Sequence, residues 1–226
     1  MNRIKLLLLI TLLLPYLSFG TSRGKTSASQ KNKGTEWFPG QMLQTPGKDI
    51  KLVGKPELVE CQYGQAVAFN GISDGIFLDQ MPLAGLKKFT IEILLCPAKG
   101  GKFEQRYFHC GEVNGSRVML ELRSTDTTWY LDAYFKSGDQ SKPLIEPTLT
   151  HPLDQWAHVA YVIDHHRQQT FVNGRKELES NLGFQPFEGG KTSLGVRQNE
   201  LSWFKGAIYR IRITPKTLKP KQFFKY

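Results

Sequence analysis

Asp154-Gln-Trp-Ala-His-Val-Ala-Tyr-Val-Ile-Asp164, followed by His165-His-Arg-Gln-Gln169 and Thr170-Phe-Val-Asn-Gly174, is the stretch whose reading decides the fold. Its first part is dense in β-branched and aromatic residues, which suit a pleated, half-buried surface. Its middle is polar and places His165-His166 in a turn. Asn173-Gly174 offers two residues that tolerate positive φ, as a two-residue hairpin turn requires. The stretch reads as two antiparallel strands and the start of a third.

The same alternation continues in both directions. Val67 and Phe69 precede Asn70-Gly71, and Ile76 and Leu78 follow Asp74-Gly75. Phe89, Ile91, Ile93 and Leu95 form one apolar face, with Thr90, Glu92 and Leu94 on the other. Val118, Leu120 and Leu122 alternate with Met119, Glu121 and Arg123, and Trp129, Leu131, Ala133 and Phe135 with Tyr130, Asp132 and Tyr134. Leu194-Gly195-Val196 and Ile208 to Ile213 close the series. No window of a dozen residues keeps an apolar stripe at helical spacing. Many short strands without helical spacers predict an all-β fold of two packed antiparallel sheets. The expected core layer is Phe69, Phe89, Ile91, Ile93, Leu120, Leu131, Val159, Phe171, Leu194 and Ile211. At about 2 kcal/mol per fully buried large side chain, such a layer offsets much of the ordering entropy of long loops.

Residues 1–20 carry Arg3 and Lys5, an apolar run from Leu6 to Leu14, and Ser18-Phe19-Gly20 with small residues where a signal peptidase reads. The run is interrupted by Pro15 and falls short of the roughly 20 residues that cross a bilayer. A cleaved secretory signal is therefore expected, with no membrane span after cleavage and a secreted, periplasmic or cell-surface destination. Residues 21–34 are rich in Ser, Gly and Lys and hold no acidic residue, as in a disordered basic leader. Residues 35–226 are expected to form one domain.

Of the formal charge of +10, the signal carries two cations and the leader four, leaving +4 on the expected domain. From Lys205 to Tyr226 there are seven basic residues and no acidic one. That end could meet an acidic glycan, a membrane surface or a partner protein, or could be a solvated rim. The cations are not interleaved with stacking aromatics, which argues against nucleic acid. Cys96 and Cys110 flank a Gly- and Lys-rich loop and could be joined across a hairpin, leaving Cys61 free; three reduced thiols are the alternative.

Four pieces then carry a family resemblance: Ala68-Phe69-Asn70-Gly71 with Asp74; Phe89-Thr90-Ile91-Glu92-Ile93 leading to Cys96-Pro97; Trp156-Ala157-His158-Val159-Ala160 with Phe171-Val172-Asn173-Gly174; and Leu194-Gly195-Val196 with Phe204-Lys205-Gly206-Ala207-Ile208-Tyr209-Arg210-Ile211-Arg212-Ile213. In that order they resemble the laminin-G-like branch of the concanavalin A-like lectin and glucanase superfamily. The resemblance implies a β-jelly-roll sandwich from an exported protein, often a carbohydrate-binding or adhesion module. It also implies a possible calcium site near Asp74. Where relatives often have Asp-Glu after the last motif, this chain has Tyr209-Arg210, and an arginine opposes a hard cation.

Three function classes remain open. A binding module for carbohydrate or an extracellular matrix component would use loop aromatics and polar neighbours, with Trp203, Arg197, Asn199 and Tyr130 as candidate contacts. Trp203 could equally plug the open end of the sandwich. A glycoside hydrolase or polysaccharide lyase would draw on Glu92, Glu121 or Asp132, which fall on polar positions of strand interiors; hydrolysis needs two carboxylates about 5 to 9 Å apart. A structural cell-envelope protein would dock a partner through Lys216, Lys219 and Lys221. The histidines lack zinc-ligand spacing, and no nucleophile elbow is present.

Overall fold

The computed structural model describes residues 34–164 and 166–226. The expected signal, the leader up to residue 33, and His165 lie outside the described residues. Among the described residues sixteen strands follow one another: β1 (Thr35–Trp37), β2 (Ile50–Val53), β3 (Glu57–Cys61), β4 (Gly64–Asn70), β5 (Gly75–Leu78), β6 (Phe89–Pro97), β7 (Glu104–Gly111), β8 (Arg117–Ser124), β9 (Thr128–Ser137), β10 (Gln140–Ile145), β11 (His151–Pro152), β12 (Ala157–Ile163), β13 (Arg167–Val172), β14 (Arg175–Asn181), β15 (Lys191–Leu194) and β16 (Lys205–Thr214). A short helix of a turn and a half, α1 (Pro39–Gln44), sits between β1 and β2 and starts on a proline at its first position, where the missing N–H costs nothing.

Two sheets result. The first runs β14-β13-β12-β6-β16-β4-β3, with β1 beside β16; the second runs β10-β9-β8-β7-β15-β5-β2, with β11 beside β9. The ladders between these strands are antiparallel. The organising stretch forms β12 and β13 and leads into β14. Asn173 and Gly174 turn the last pair with φ of 50° and 77°, the left-handed values a tight hairpin needs.

Between the sheets, the inward rows of β6, β12 and β16 meet those of β7, β8 and β9. Phe89, Ile91, Ile93, Val159, Ile211, Leu120, Leu131, Leu194 and Phe69 all lie in this core. Phe171 does not. Its partner across the ladder is Ala160, whose own partner on β6 is Glu92, so Phe171 belongs to the outward row of the first sheet. It is buried there with Ala160, Val162 and Phe223, and Leu218 packs alongside. The polypeptide after β16 folds back as a strap and roofs that outer face.

The roof encloses a charge. Glu92 has no exposed surface, and its carboxylate accepts from Arg212 Nε at 2.7 Å, the Phe224 backbone N–H at 2.8 Å and His158 Nε2 at 3.2 Å. A buried carboxylate is tolerable only when it is paired and hydrogen-bonded in this way. Arg210 and Arg212 also lie over the Phe224 ring, at 4.3 and 5.3 Å from its centroid.

The expected Cys96–Cys110 bridge is not formed, and all three cysteines are free thiols. The cause is topological: Cys96 is on β6 of the first sheet and Cys110 on β7 of the second. The loop between them crosses from one layer to the other instead of closing a hairpin. Cys110 Sγ points into the core against Met81 and Thr192, and burial lifts its pKa to about 12.

Candidate functional site on the outer face of the second sheet

The alternation that sends Val118, Leu120, Leu122, Leu131, Ala133 and Phe135 inward leaves Arg117, Glu121, Arg123, Asp132 and Tyr134 facing outward on β8 and β9. Glu121 and Asp132 are directly opposite each other in the ladder, and Arg106 of β7 is opposite Glu121. Opposed residues place their side chains within contact distance. Arg123 Nη2 lies 2.5 Å from Asp132 Oδ2 and 3.6 Å from Glu121 Oε2, while Arg106 Nε is 3.2 Å from Glu121 Oε1. Glu104 closes the cluster, 2.5 Å from both Arg106 Nη1 and Arg123 Nη1.

Burial decides how this cluster is charged. Glu121 is only 2% exposed. Desolvation outweighs the attraction of Arg106 and Arg123 and raises its pKa to about 7. Asp132 is raised for the same first reason, and one of its oxygens, Oδ1, has no hydrogen-bond partner among the described residues. Desolvation also acts upward on Glu104, but its hydrogen bond and charge contacts with Arg106, aided by Arg123, hold it below its ordinary value. Glu121 and Asp132 therefore meet, as their strand positions suggested, but each is locked to arginine. Glu92, the third carboxylate of the catalytic alternative, is on the opposite sheet beneath the strap.

The candidate binding contacts cluster around the loop between β15 and β16. Phe204 N donates to Gly195 O, Arg197 N to Leu201 O, and Arg106 N to Ser202 O, which pins the loop to β7. Glu200 and Ser202 hold φ of 60° and 57°, a conformation L-residues adopt reluctantly and often at functional sites. Asn199 is exposed at the tip. Trp203 is half-buried at the end of β5, and a Cβ at Gly75 would lie 3.5 Å from its ring. Tyr130, 8% exposed, sits on β9 with the edge of Phe103 6.5 Å away.

Arg197 reaches sideways, donating from Nη2 to Val113 O at 3.0 Å in the hairpin between β7 and β8. Arg117 donates to Gly115 O at 2.7 Å, and Lys136 to Asn114 O at 3.1 Å. Three consecutive carbonyls of one hairpin thus hold three cations. His109 lies beneath the loop. Its Nδ1 accepts from Gln198 N, so Nε2 carries the proton toward Glu112 O. Burial, reinforced by the nearby arginines, depresses its pKa to about 4, which keeps it neutral.

Beside that hairpin, a groove of about 400 Å³ opens on β2 and β5, lined by Phe77, Lys48, Lys51, Lys191, Val113 and Gln198. Its volume falls in the range of small-ligand sites. Lys51, Phe77, Ser193 and His109 form one outward row across β2, β5, β15 and β7. The signal for Phe77 lay in the alternation Ile76-Phe77-Leu78, which points the ring outward. A second hollow, about 690 Å³, lies past the hairpin among Glu112, Asp139, Glu188 and Phe184, away from the candidate contacts.

Asp74 is 4% exposed, and its two oxygens accept the backbone N–H groups of Lys55 and Asn70. The carboxylate thereby ties the turn before β5 to the segment after β2. Among the described residues no group of three or more His, Cys, Asp or Glu side chains is arranged to hold a metal ion, and no helix is long and apolar enough to cross a membrane.

Residues 70–222 match the model of the Laminin_G_3 family, described as concanavalin A-like lectin/glucanases superfamily. No curated protein matches the chain. Among solved structures, domain 4 of AbnA, an extracellular arabinanase from Geobacillus stearothermophilus solved with arabinotriose, is similar with a TM-score of 0.58 and 22% identity, covering 75% of this chain and 79% of that one. The receptor-binding domain of a botulinum neurotoxin C/D mosaic has a TM-score of 0.59 at 13% identity, covering 76% and 44%. The binding domain of Paraclostridial Mosquitocidal Protein 1 has 0.60 at 10%, covering 80% and 47%. The overlap with this chain thus spans less than half of either toxin domain. At these identities the likeness is one of fold.

Proposed function

From a chain that belongs to the Laminin_G_3 family of the concanavalin A-like lectin/glucanase superfamily, we propose an exported, noncatalytic binding module that takes a glycan on the outer face of its second sheet. Its domain comprises residues 35–226. The observation that carries the reading is the loop between β15 and β16, held in left-handed conformation at Glu200 and Ser202: its Gln198 lines the groove floored by Phe77, Arg197 and Asn199 flank Gln198 in the chain, and Trp203 shares with Phe77 the space beside Gly75. An aromatic floor with amide and guanidinium donors at its edge suits a sugar ring, which has apolar faces and a hydroxyl rim. Tyr130 flanks the same face. The arabinotriose of the AbnA domain structure supports a sugar on this fold.

A glycan array and calorimetry on the purified chain test the proposal. Binding of a defined oligosaccharide that weakens at least tenfold in Trp203→Ala or Phe77→Ala is the expected result, the size of a central aromatic contact. Absence of any sugar ligand would discard it. The raised pKa of Glu121 is what a general acid would need, so the same oligosaccharides are to be assayed for reducing ends. Release that vanishes in Glu121→Gln would replace binding by hydrolysis.

A further inference from the structure

Charge is out of balance on this face. Lys48, Lys51, Arg117, Lys136 and Arg197 border the groove or the hairpin beside it, and among the described residues none of the five is in an ion pair. The neighbouring acids make no contact pair with them, although Asp49 attracts Lys48 and Glu121 attracts Arg197 at longer range. Asp79 is taken by Lys191 at 3.2 Å, Asp49 by the amide of Gln80, and the Glu112 side chain folds against Gly115 without reaching Arg117. Elsewhere on the same sheet Arg106 and Arg123 are ion-paired with Glu104, Glu121 and Asp132. Unpaired cations therefore concentrate where the groove is.

Two of them are costly where they stand. Arg117 is 8% exposed, lies over the Tyr134 ring at 5.0 Å, and its Nε, like that of Arg197, is buried without a hydrogen-bond partner among the described residues. Desolvation and the neighbouring Arg117 and Arg106 guanidiniums lower the pKa of Arg197. Backbone carbonyls orient these side chains but carry only partial charge. A bound anion would relieve the repulsion, and paired guanidiniums match the planar oxygens of a carboxylate or the tetrahedral oxygens of a sulfate ester.

We propose that the glycan taken by this face is acidic, with a carboxylate or sulfate group seated among Arg197, Arg117 and Lys136 while its ring lies toward Phe77 and Lys51. This rests on the glycan-binding reading above and narrows it to one ligand class.

The test is calorimetry on the full chain with three probes of similar length: arabinotriose, trigalacturonate and a chondroitin sulfate tetrasaccharide. An acidic probe is expected to bind, arabinotriose much more weakly. Arg197→Gln is expected to lose about tenfold, the size of one charge-assisted hydrogen bond, and the half-exposed Lys136→Gln a smaller factor, with the melting curve of each variant unchanged. Affinity is expected to fall steeply from about 0.05 to about 0.5 M NaCl, roughly one-third and three-fold of physiological ionic strength. Trigalacturonate against the sulfated probe decides which oxygen geometry is seated. If arabinotriose binds as tightly as the acidic probes and Arg197→Gln binds like the parent while Trp203→Ala does not, the acidic ligand is refuted and the glycan reading stands. If none of the probes, nor any sugar on the array, binds, both fail together.

Discussion

The two outer faces of this sandwich treat charge in opposite ways. On the first sheet, Glu92 is wholly buried yet receives Arg212, His158 and the Phe224 N–H, and the strap closes over it. On the second, Asp132 Oδ1, Arg117 Nε and Arg197 Nε are buried without hydrogen-bond partners among the described residues, and burial raises the pKa of Glu121 to about 7. A face whose polar groups are all satisfied contributes stability and little else. A face that leaves some unsatisfied has chemistry in reserve for a ligand.

The sharpest way to break the contrast is to remove one cation from each face. Arg212→Met strands Glu92 beneath the strap and is expected to cost about 3–5 kcal/mol in urea denaturation. Arg117→Met strands no carboxylate, so its loss is expected to stay within about 1 kcal/mol, that of the single hydrogen bond to Gly115. Equal losses would erase the distinction between the faces.

Glu121 gives a subtler handle through pH. Its folded pKa of about 7 stands above the ordinary 4.5, so between those values the native state binds more protons than the unfolded chain. Its contribution is fully favourable below pH 4.5 and is lost as pH rises toward 7. Glu121→Gln is expected to be more stable than the parent at pH 8 by on the order of 2 kcal/mol, with the advantage vanishing at pH 4.5. A difference that does not change between those pH values would show that Arg106 and Arg123 keep the group ionised throughout. Least of all, Tyr226→Ala should cost only about 0.5 kcal/mol, because the ring stacks on His158 at 5.5 Å but is 53% exposed; a large loss would mean the strap is fastened at its tip and not at Phe223 and Phe224.

How far these faces could be read from the sequence follows from what alternation encodes. Period-two patterning assigns each side chain to one side of its own strand, and so it placed Val118 inward and Glu121 outward correctly. It also made Glu121 and Asp132 neighbours once β8 and β9 were taken as a hairpin. It does not say what covers an outward row. Phe171 was therefore expected between the sheets although its row faces out, and Lys205 to Tyr226 read as a basic end although its Phe223 and Phe224 are buried against the first sheet. Nor does it assign strands to sheets, which is why Cys96 and Cys110 looked joinable and Glu92 looked like a companion of Glu121. The groove at Phe77 was legible in orientation only, since Lys48 and Lys51, Val113, and Gln198 come to it from three separate segments.

The hairpin whose three successive carbonyls hold Arg197, Lys136 and Arg117 has one more implication, for how this protein can vary. One added residue between Glu112 and Arg117 would turn those oxygens to new directions and release all three side chains at once, so its length is as constrained as any buried position. The Gly138 turn between β9 and β10, where a Cβ would touch nothing, holds on to that hairpin by its N–H bond to Ser116 Oγ and orients no cation, so it should accept inserted sequence more readily and is the better place to attach a label or a tether.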